Sequence, residues 1–248
     1  MKLITVNSGS SGNCYLLHDD NGHYLMLDCG ERIRWTEILA ACGFAVSSID
    51  AMLCSHIHTD HLSKVKTLQM NGIPVYSSDD VQQFVETTTG ELIKAMPEKS
   101  VQFLPGGWKT VPWYVPHSGN GGERVKCFAY YIESPSRYRA VYITDFMYSP
   151  LTFKSLKVQL ILIACNHDDE LDGEENTEKV RHIVTGHSSL SVVKELLSVN
   201  KTESLQNVVL CHLSESNATP EIMVRETQDV VGNSVKVAIA RKGEIINL

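Results

Sequence analysis

Apolar positions along this chain fall in short runs, some alternating with polar residues and some wholly apolar, with Gly, Asn, Asp and Pro between them. That pattern predicts many short strands with a few helices among them. Residues 2–6, 14–18 and 24–28 read as strands, the latter two joined by a turn over 19–22. Residues 32–42 read as a helix closed by Gly43. An apolar strand over 51–55 runs straight into a histidine cluster, and 62–70 has helical spacing, stopped by Asn71-Gly72 with Pro74 beyond. The strand series continues at 75–76, 101–103, 110–115, 126–133 and 140–144. Residues 160–164 are apolar and β-branched, as a strand covered on both faces should be. Helices are expected over 190–199 and 220–229, with a strand at 208–211 between them and a closing hairpin made by 235–238 and 244–246. Residues 79–98, polar and helical in spacing, read as an insertion capping one edge. With no repeat, low-complexity tract or long linker, residues 1–248 read as a single α/β domain.

Composition narrows the class. A chain of 248 residues can build a proper core, and 43% hydrophobic with 21% charged residues is ordinary for a soluble globular protein. No apolar run approaches the roughly 18 residues a membrane span requires. The opening MKLITVNSGSSGN turns polar after Val6 and lacks the apolar centre of a secretion signal, so a cytoplasmic protein is expected. Seven cysteines, irregularly spaced and without a CxxC pair, fit a reducing compartment. Cys54, Cys165 and Cys211 sit in apolar runs where a thiol behaves as a small hydrophobe. The net charge of -7 argues against sequence-independent coating of nucleic acid. It leaves a nuclease open, because bound divalent cations reverse the field inside a cleft.

The densest chemistry lies in SHIHTDH, residues 55–61. His56 and His58 alternate, so an extended backbone sends both side chains to one face. The turn into the helix expected from Leu62 then brings Asp60 and His61 to the same cavity. Imidazole and carboxylate together suit zinc or manganese, and also iron. Four ligating groups so close exceed what one tetrahedral ion with an open position uses, which points to two ions.

The HxHxDH run, with MLDCG upstream, resembles the signature of the metallo-β-lactamase superfamily. Counterparts of that family's later ligands are His117 in VPHSGNG, Asp145 in YITDF and His212 in LCHLSESN, each expected just after an apolar strand. The resemblance implies a four-layer αββα sandwich of two mixed sheets with a dinuclear site at the edge between them. It implies that His56, His58 and His117 hold one ion and Asp60, His61 and His212 the other, with Asp145 bridging. Asp28 is expected to accept a hydrogen bond from a ligand histidine or a backbone N–H and so fix the ligand's orientation.

Within the superfamily, SGSSGNCYLL and HLSESNATPE resemble motifs of the YycJ/WalJ-like nuclease branch. GHSSLSVV resembles that branch's Gly-His-Leu-Ser-Asn element, with departures at Ser188 and Leu190. His187 is there a candidate to donate a proton to the leaving oxygen or to contact a phosphate; capping the following helix is the alternative. Asn166 and His167 end a buried strand near the expected mouth.

Two cations about 3.5–4 Å apart share a hydroxide and clamp both the attacking and leaving oxygens of a displacement. The expected activity is therefore hydrolysis of phosphodiester bonds by a metal-bridging hydroxide, in the manner of a DNA or RNA exonuclease. Asp60 or Asp145 would orient that hydroxide or take up its proton. The expected partner is a nucleic acid or a small phosphodiester, with no membrane. Lys64, Lys66, Arg124, Lys126, Arg137 and Arg139 are candidates for phosphate contacts, and Trp108, Trp113 and Tyr114 for stacking on a base. Hydrolysis of a small ester, thioester or lactam by the same hydroxide is the alternative, followed by a metal-binding module without activity.

Overall fold

The computed structural model of the protein describes residues 1–30, 34–41, 43–119, 123–168 and 187–248. The start of the helix expected from Arg32, the end of VPHSGNG and Gly186 of GHSSLSVV lie outside them.

The chain opens with a meander of β1 (Lys2–Asn7), β2 (Cys14–His18) and β3 (Tyr24–Leu27), antiparallel throughout. The sheet continues in parallel through β4 (Ile49–Leu53), β5 (Val75–Ser77) and β6 (Lys94–Ala95). Helices α1 (Trp35–Ala41), α2 (Thr59–Leu62), α3 (Val65–Met70) and α4 (Asp79–Thr89) fall in the crossovers that parallel pairing demands. A second sheet begins antiparallel with β7 (Gln102–Phe103), β8 (Lys109–Ser118), β9 (Arg124–Glu133) and β10 (Arg139–Ile143). It then turns parallel through β11 (Leu160–Ala164), β12 (Asn207–Cys211) and β13 (Lys236–Ile239). Helices α5 (Leu190–Asn200) and α6 (Pro220–Val231) flank β12 in sequence. The last strand, β14 (Ile245–Asn247), pairs with β1, so each mixed sheet has seven strands among the described residues.

Strand alternation explains the layers. In β1, Leu3 faces the other sheet while Ile4 faces the helices; Tyr15 and Leu17 against Leu16, and Leu162 against Ile161 and Ile163, repeat the division. One apolar cluster lies between the sheets, joining Leu25 and Leu53 to Tyr130, Tyr142 and Val209. A second seats Leu39, Leu68, Val81 and Val85 of the helices on the first sheet, and a third seats Val193, Leu197 and Met223 on the second. Each sheet is thus covered on both faces, which is why its central strands carry so few polar positions.

Several expectations shift. The closing hairpin does not form: β13 adds to β12 in the second sheet while β14 crosses to the first. Hydrogen bonds from Thr5 N–H to the Glu244 carbonyl and from Gly243 N–H to the Thr5 carbonyl draw the intervening turn to β1. The helix expected over 79–98 stops at Thr89, where Gly90 adopts a φ of 73°, and Lys94–Ala95 then extends the first sheet as β6. Trp108 is fully buried, with its indole N–H donating to Asp50, so it has no face to offer a base. The described cysteines are buried free thiols. No helix among the described residues is long and apolar enough to cross a membrane.

Candidate metal centre

The C-terminal ends of the strands deliver the side chains. Asp28 follows β3, His56 and His58 follow β4, Asp145 follows β10, and His212 is the first residue after β12. Helix α2 starts at Thr59, three residues before the expected start, and His58 is its N-cap residue. Asp60 and His61 are therefore fixed by one helical turn instead of a free loop. His117 lies inside β8, opposite Val125 of β9, and does not follow a strand as expected.

All of these side chains except Asp28, seven in number, converge in two groups. One ligand atom from each of His56, His58, His117 and Asp145 lies within 4.8 Å of the others, and the same holds for Asp60, His61, Asp145 and His212. Asp145 belongs to both. In the first group His58 Nδ1 is 3.0 Å from His56 Nε2 and 3.1 Å from His117 Nε2. In the second, His61 Nε2 is 3.1 Å from Asp60 Oδ2 and 3.2 Å from Asp145 Oδ2. His212 Nε2 lies 3.4 Å from Asp60 Oδ2 and 3.3 Å from Asp145 Oδ1. His187, partly exposed, reaches the same carboxylate, its Nδ1 3.3 Å from Asp145 Oδ1.

Protons alone do not satisfy this arrangement. A single ring nitrogen forms one hydrogen bond, yet His58 Nδ1 faces two other imidazole nitrogens. Asp145 Oδ1 and His212 Nε2 are buried and have no hydrogen-bond partner among the described residues. Divalent cations bound among them would satisfy all of these atoms, so the donor set fits a divalent metal. The backbone is strained at the same place: Asp28, Asp145 and His212 have φ values of 56°, 40° and 55°. Non-glycine residues persist in that region only where the surrounding structure holds them.

A buried carboxylate orients one imidazole in each group. Asp28 Oδ2 accepts from His61 Nδ1 at 2.7 Å, from the Ser55 hydroxyl at 2.9 Å and from the Tyr142 hydroxyl at 2.5 Å. Its Oδ1 accepts from the Ser55 backbone N–H at 2.7 Å. The same Ser55 oxygen lies 2.9 Å from His56 Nδ1 and can accept its proton. With their Nδ1 protons directed outward, His61 and His56 turn Nε2 lone pairs into the cavity. Asp28 thus takes both kinds of hydrogen bond expected of it.

The electrostatics of the groups differ. Burial pushes the His56 imidazole well below its ordinary value, and repulsion from His61 and His117 adds to the effect. Burial likewise lowers His58, against the pull of Asp145 and Asp60. Burial also disfavours charge on His61, yet Asp60, Asp28 and Asp145 together raise it well above the usual histidine range. Asp145 and Asp60 raise His212 in the same way. Both carboxylates are held low against the cost of burial, Asp145 by His212, His61 and His187, and Asp60 by His61 and His212.

Asn166 brings its side-chain amide to 3.2 Å from His212 Nδ1, while His167 Nδ1 lies 2.6 Å from the Asp168 carbonyl. Beside His117 opens a cavity of about 530 Å³ lined in part by Tyr114, Arg124, Lys126, Met147 and Tyr148. Of the basic candidates, Arg124 and Lys126 line it; Arg137 pairs with Glu133 and Arg139 with the Leu156 carbonyl. Sequence reasoning missed Ser8, Asn13, Ser55 and Tyr142, which support the centre from behind. Polar residues flanking buried strands signal such roles only once their partners are known.

The family of anti-Pycsar protein Apyc1 matches residues 6–93. The chain is 28% identical over 108 residues to the anti-Pycsar protein Apyc1 of Bacillus phage 010DV004, a match covering 41% of this chain and 40% of that protein. Among solved structures it is similar to the metallo-β-lactamase fold protein YhfI from Bacillus subtilis, at a TM-score of 0.74 and 21% identity, over 99% of this chain and 98% of that one. It is similar to unliganded yeast PDE1, at 0.73 and 13% over 100% and 99% of the two chains. It is also similar to the short form of human tRNase Z, at 0.60 and 14% over 100% and 99%. The chain has the metallo-β-lactamase fold.

Proposed function

We propose that this protein is a hydrolase of phosphodiester bonds that works with two divalent cations, zinc or manganese. The observation that carries the reading is the sharing of the Asp145 carboxylate by two four-residue groups of ligand atoms. A pair of cations in such a frame supplies Lewis acidity and a hydroxide nucleophile at neutral pH. His56, His58 and His117 would hold one cation, Asp60, His61 and His212 the other, and Asp145 both. Asp60 or Asp145, both held ionised by their histidine neighbours, would orient the attacking oxygen or take up its proton. His187, partly exposed beside Asp145, would donate a proton to the leaving oxygen or contact a phosphate.

Two substrate classes fit this chemistry. The fold it shares with human tRNase Z, and the YycJ/WalJ-like motifs, support a nucleic-acid strand as substrate. A small nucleotide phosphodiester is favoured by the rim. Among the described residues, Lys126 is tied to Asp79 and Asp80 at 3.2 and 2.7 Å, which offsets the charge of one of the two basic side chains lining the cavity beside His117, the other being Arg124. The cavity beside His117 has the volume of a site for one small ligand.

The test is a substrate panel offered to the protein loaded with manganese or zinc and, in parallel, stripped by chelator. Bis(p-nitrophenyl) phosphate, an end-labelled oligonucleotide, a cyclic mononucleotide and a β-lactam suffice. We expect metal-dependent cleavage of the phosphodiesters, with the cyclic mononucleotide preferred to the oligonucleotide. Turnover of the lactam alone would overturn the reading.

A further inference from the structure

The turn between β1 and β2, Ser8-Gly-Ser-Ser-Gly-Asn13, lies behind one group of candidate ligands and not the other. Asn13 is fully buried, and its side-chain amide points at the second group: Nδ2 is 3.4 Å from Asp60 Oδ2 and 3.3 Å from His61 Nε2. The orientation of that amide is fixed from its other end. Its Oδ1 accepts from the Tyr15 hydroxyl at 2.9 Å and from the Gly9 N–H at 3.2 Å, so the N–H groups must face Asp60 and the Gly9 carbonyl. Tyr15 is itself a fully buried core residue, which anchors the hydroxyl.

Ser8 reaches the third member. Its hydroxyl oxygen accepts the His212 backbone N–H at 3.0 Å and lies 2.9 Å from the Tyr15 hydroxyl. His212 is one of the strained residues, so this bond helps to hold a backbone conformation that a histidine does not favour. The main chain completes the brace: Asn13 N–H donates to the Asp60 carbonyl at 2.8 Å, and Gly30 N–H to the Asn13 carbonyl at 2.9 Å. A Cβ at Gly30 would stand 2.1 Å from the Asp60 oxygen, so the approach requires glycine there. His56 instead has Ser55 Oγ at 2.9 Å and Cys127 Sγ at 3.8 Å beside its Nδ1.

We propose that Asn13 and Ser8 are positioning residues for one cation position only, the one formed by Asp60, His61 and His212. Resting on the two-cation reading above, the inference adds that this turn supports the second position alone, so that position can be weakened separately although both share Asp28 and Asp145. In the first, the His56, His58 and His117 nitrogens stay in place when the turn is altered. In the second, loss of the Asn13 amide frees Asp60 to rotate, and loss of the Ser8 hydroxyl releases the His212 main chain.

The experiment titrates zinc, against a chromophoric competitor chelator, into the metal-stripped full-length protein as wild type, Asn13→Ala, Ser8→Ala and Ser8→Thr. Histidine ring nitrogen NMR shifts report which imidazoles bind at each step. Wild-type protein should take up two equivalents. Asn13→Ala and Ser8→Ala should weaken one step by about 10–100-fold, with the His61 and His212 signals responding late and those of His56, His58 and His117 unmoved. Ser8→Thr, which keeps the hydroxyl, should restore that step. Equal weakening of both steps, or of neither, in Ser8→Ala overturns the inference even where Asn13→Ala fails to fold. A wild type that takes up no second equivalent overturns the two-cation reading itself, a distinct outcome seen before any variant is compared.

Discussion

The three imidazoles gathered at His58 and the mixed set gathered at His61 share a cleft and one carboxylate, but their surroundings are unlike. In the first set burial lowers His56 and His58. The second carries a carboxylate of its own, and its histidines are held toward the charged form by acidic neighbours. In the His58 set the hydrogen bond to Ser55 orients His56. A charge-rich set needs hydrogen bonds to decide where its protons and lone pairs point, and these come from Asp28, Asn13, Ser8 and Asn166. Side chains from one short motif and three distant strands thus fall into two groups with different dependence on the rest of the fold.

The largest break in that comparison is removal of what the sets share. Asp145→Ala should abolish binding at both positions and lower phosphodiesterase activity by about a thousandfold, about 4 kcal/mol of transition-state stabilisation. Steady-state kinetics with metal analysis checks it; an activity within tenfold of wild type would remove Asp145 from its bridging role. Asp28→Asn comes next, because Asp28 orients His61 directly and His56 through Ser55. Both cation affinities should fall by about 10–100-fold, read by chelator competition, and a loss confined to the His61 set would show that the Ser55 relay is idle.

Gly30→Ala sharpens the contrast through the main chain. The new methyl cannot fit against the Asp60 carbonyl, so we expect a loss of about 1–3 kcal/mol in stability. Thermal melting should register it, together with weaker binding at the Asp60 position. The smallest effect should come from Asp19, remote from both sets. Burial raises its pKa, but hydrogen bonds from the Ser136 hydroxyl and the Asn21 and Ser136 N–H groups hold it at about 2. Its folded value lies below its ordinary 3.8, so its stabilisation is full above that pH and is lost as pH falls toward 2. Asp19→Asn should cost up to about 2 kcal/mol at neutral pH, flatten acid unfolding in that window and leave metal uptake unchanged.

Much of the fold was legible because both faces of each sheet are covered: strands such as Leu160–Ala164 and Asn207–Cys211 read as apolar runs whatever their neighbours. The exchange of β13 and β14 between sheets was not, since two short strands separated by a turn carry the signal of a hairpin wherever they pair. Residues 55–61 stood out as candidate metal ligands by the density of their imidazoles and carboxylate. His117, Asp145 and His212 became visible only as a constellation in the right order, because a lone histidine or aspartate near a strand has many ordinary uses. Asn13 gave no such signal: a turn asparagine is commonplace, and its value lies in Tyr15 and Asp60, distant partners that only folding supplies. The candidate stacking residue Trp108 misled because an indole needs a polar partner when buried, and Asp50 provides one out of sight of the sequence.

Anomalous diffraction from crystals grown with manganese or zinc tests the central claim most directly. The account predicts two peaks about 3.5–4 Å apart, one amid His56, His58 and His117 and the other amid Asp60, His61 and His212, with an Asp145 oxygen on each. A single peak, or two peaks without Asp145 between them, would contradict it.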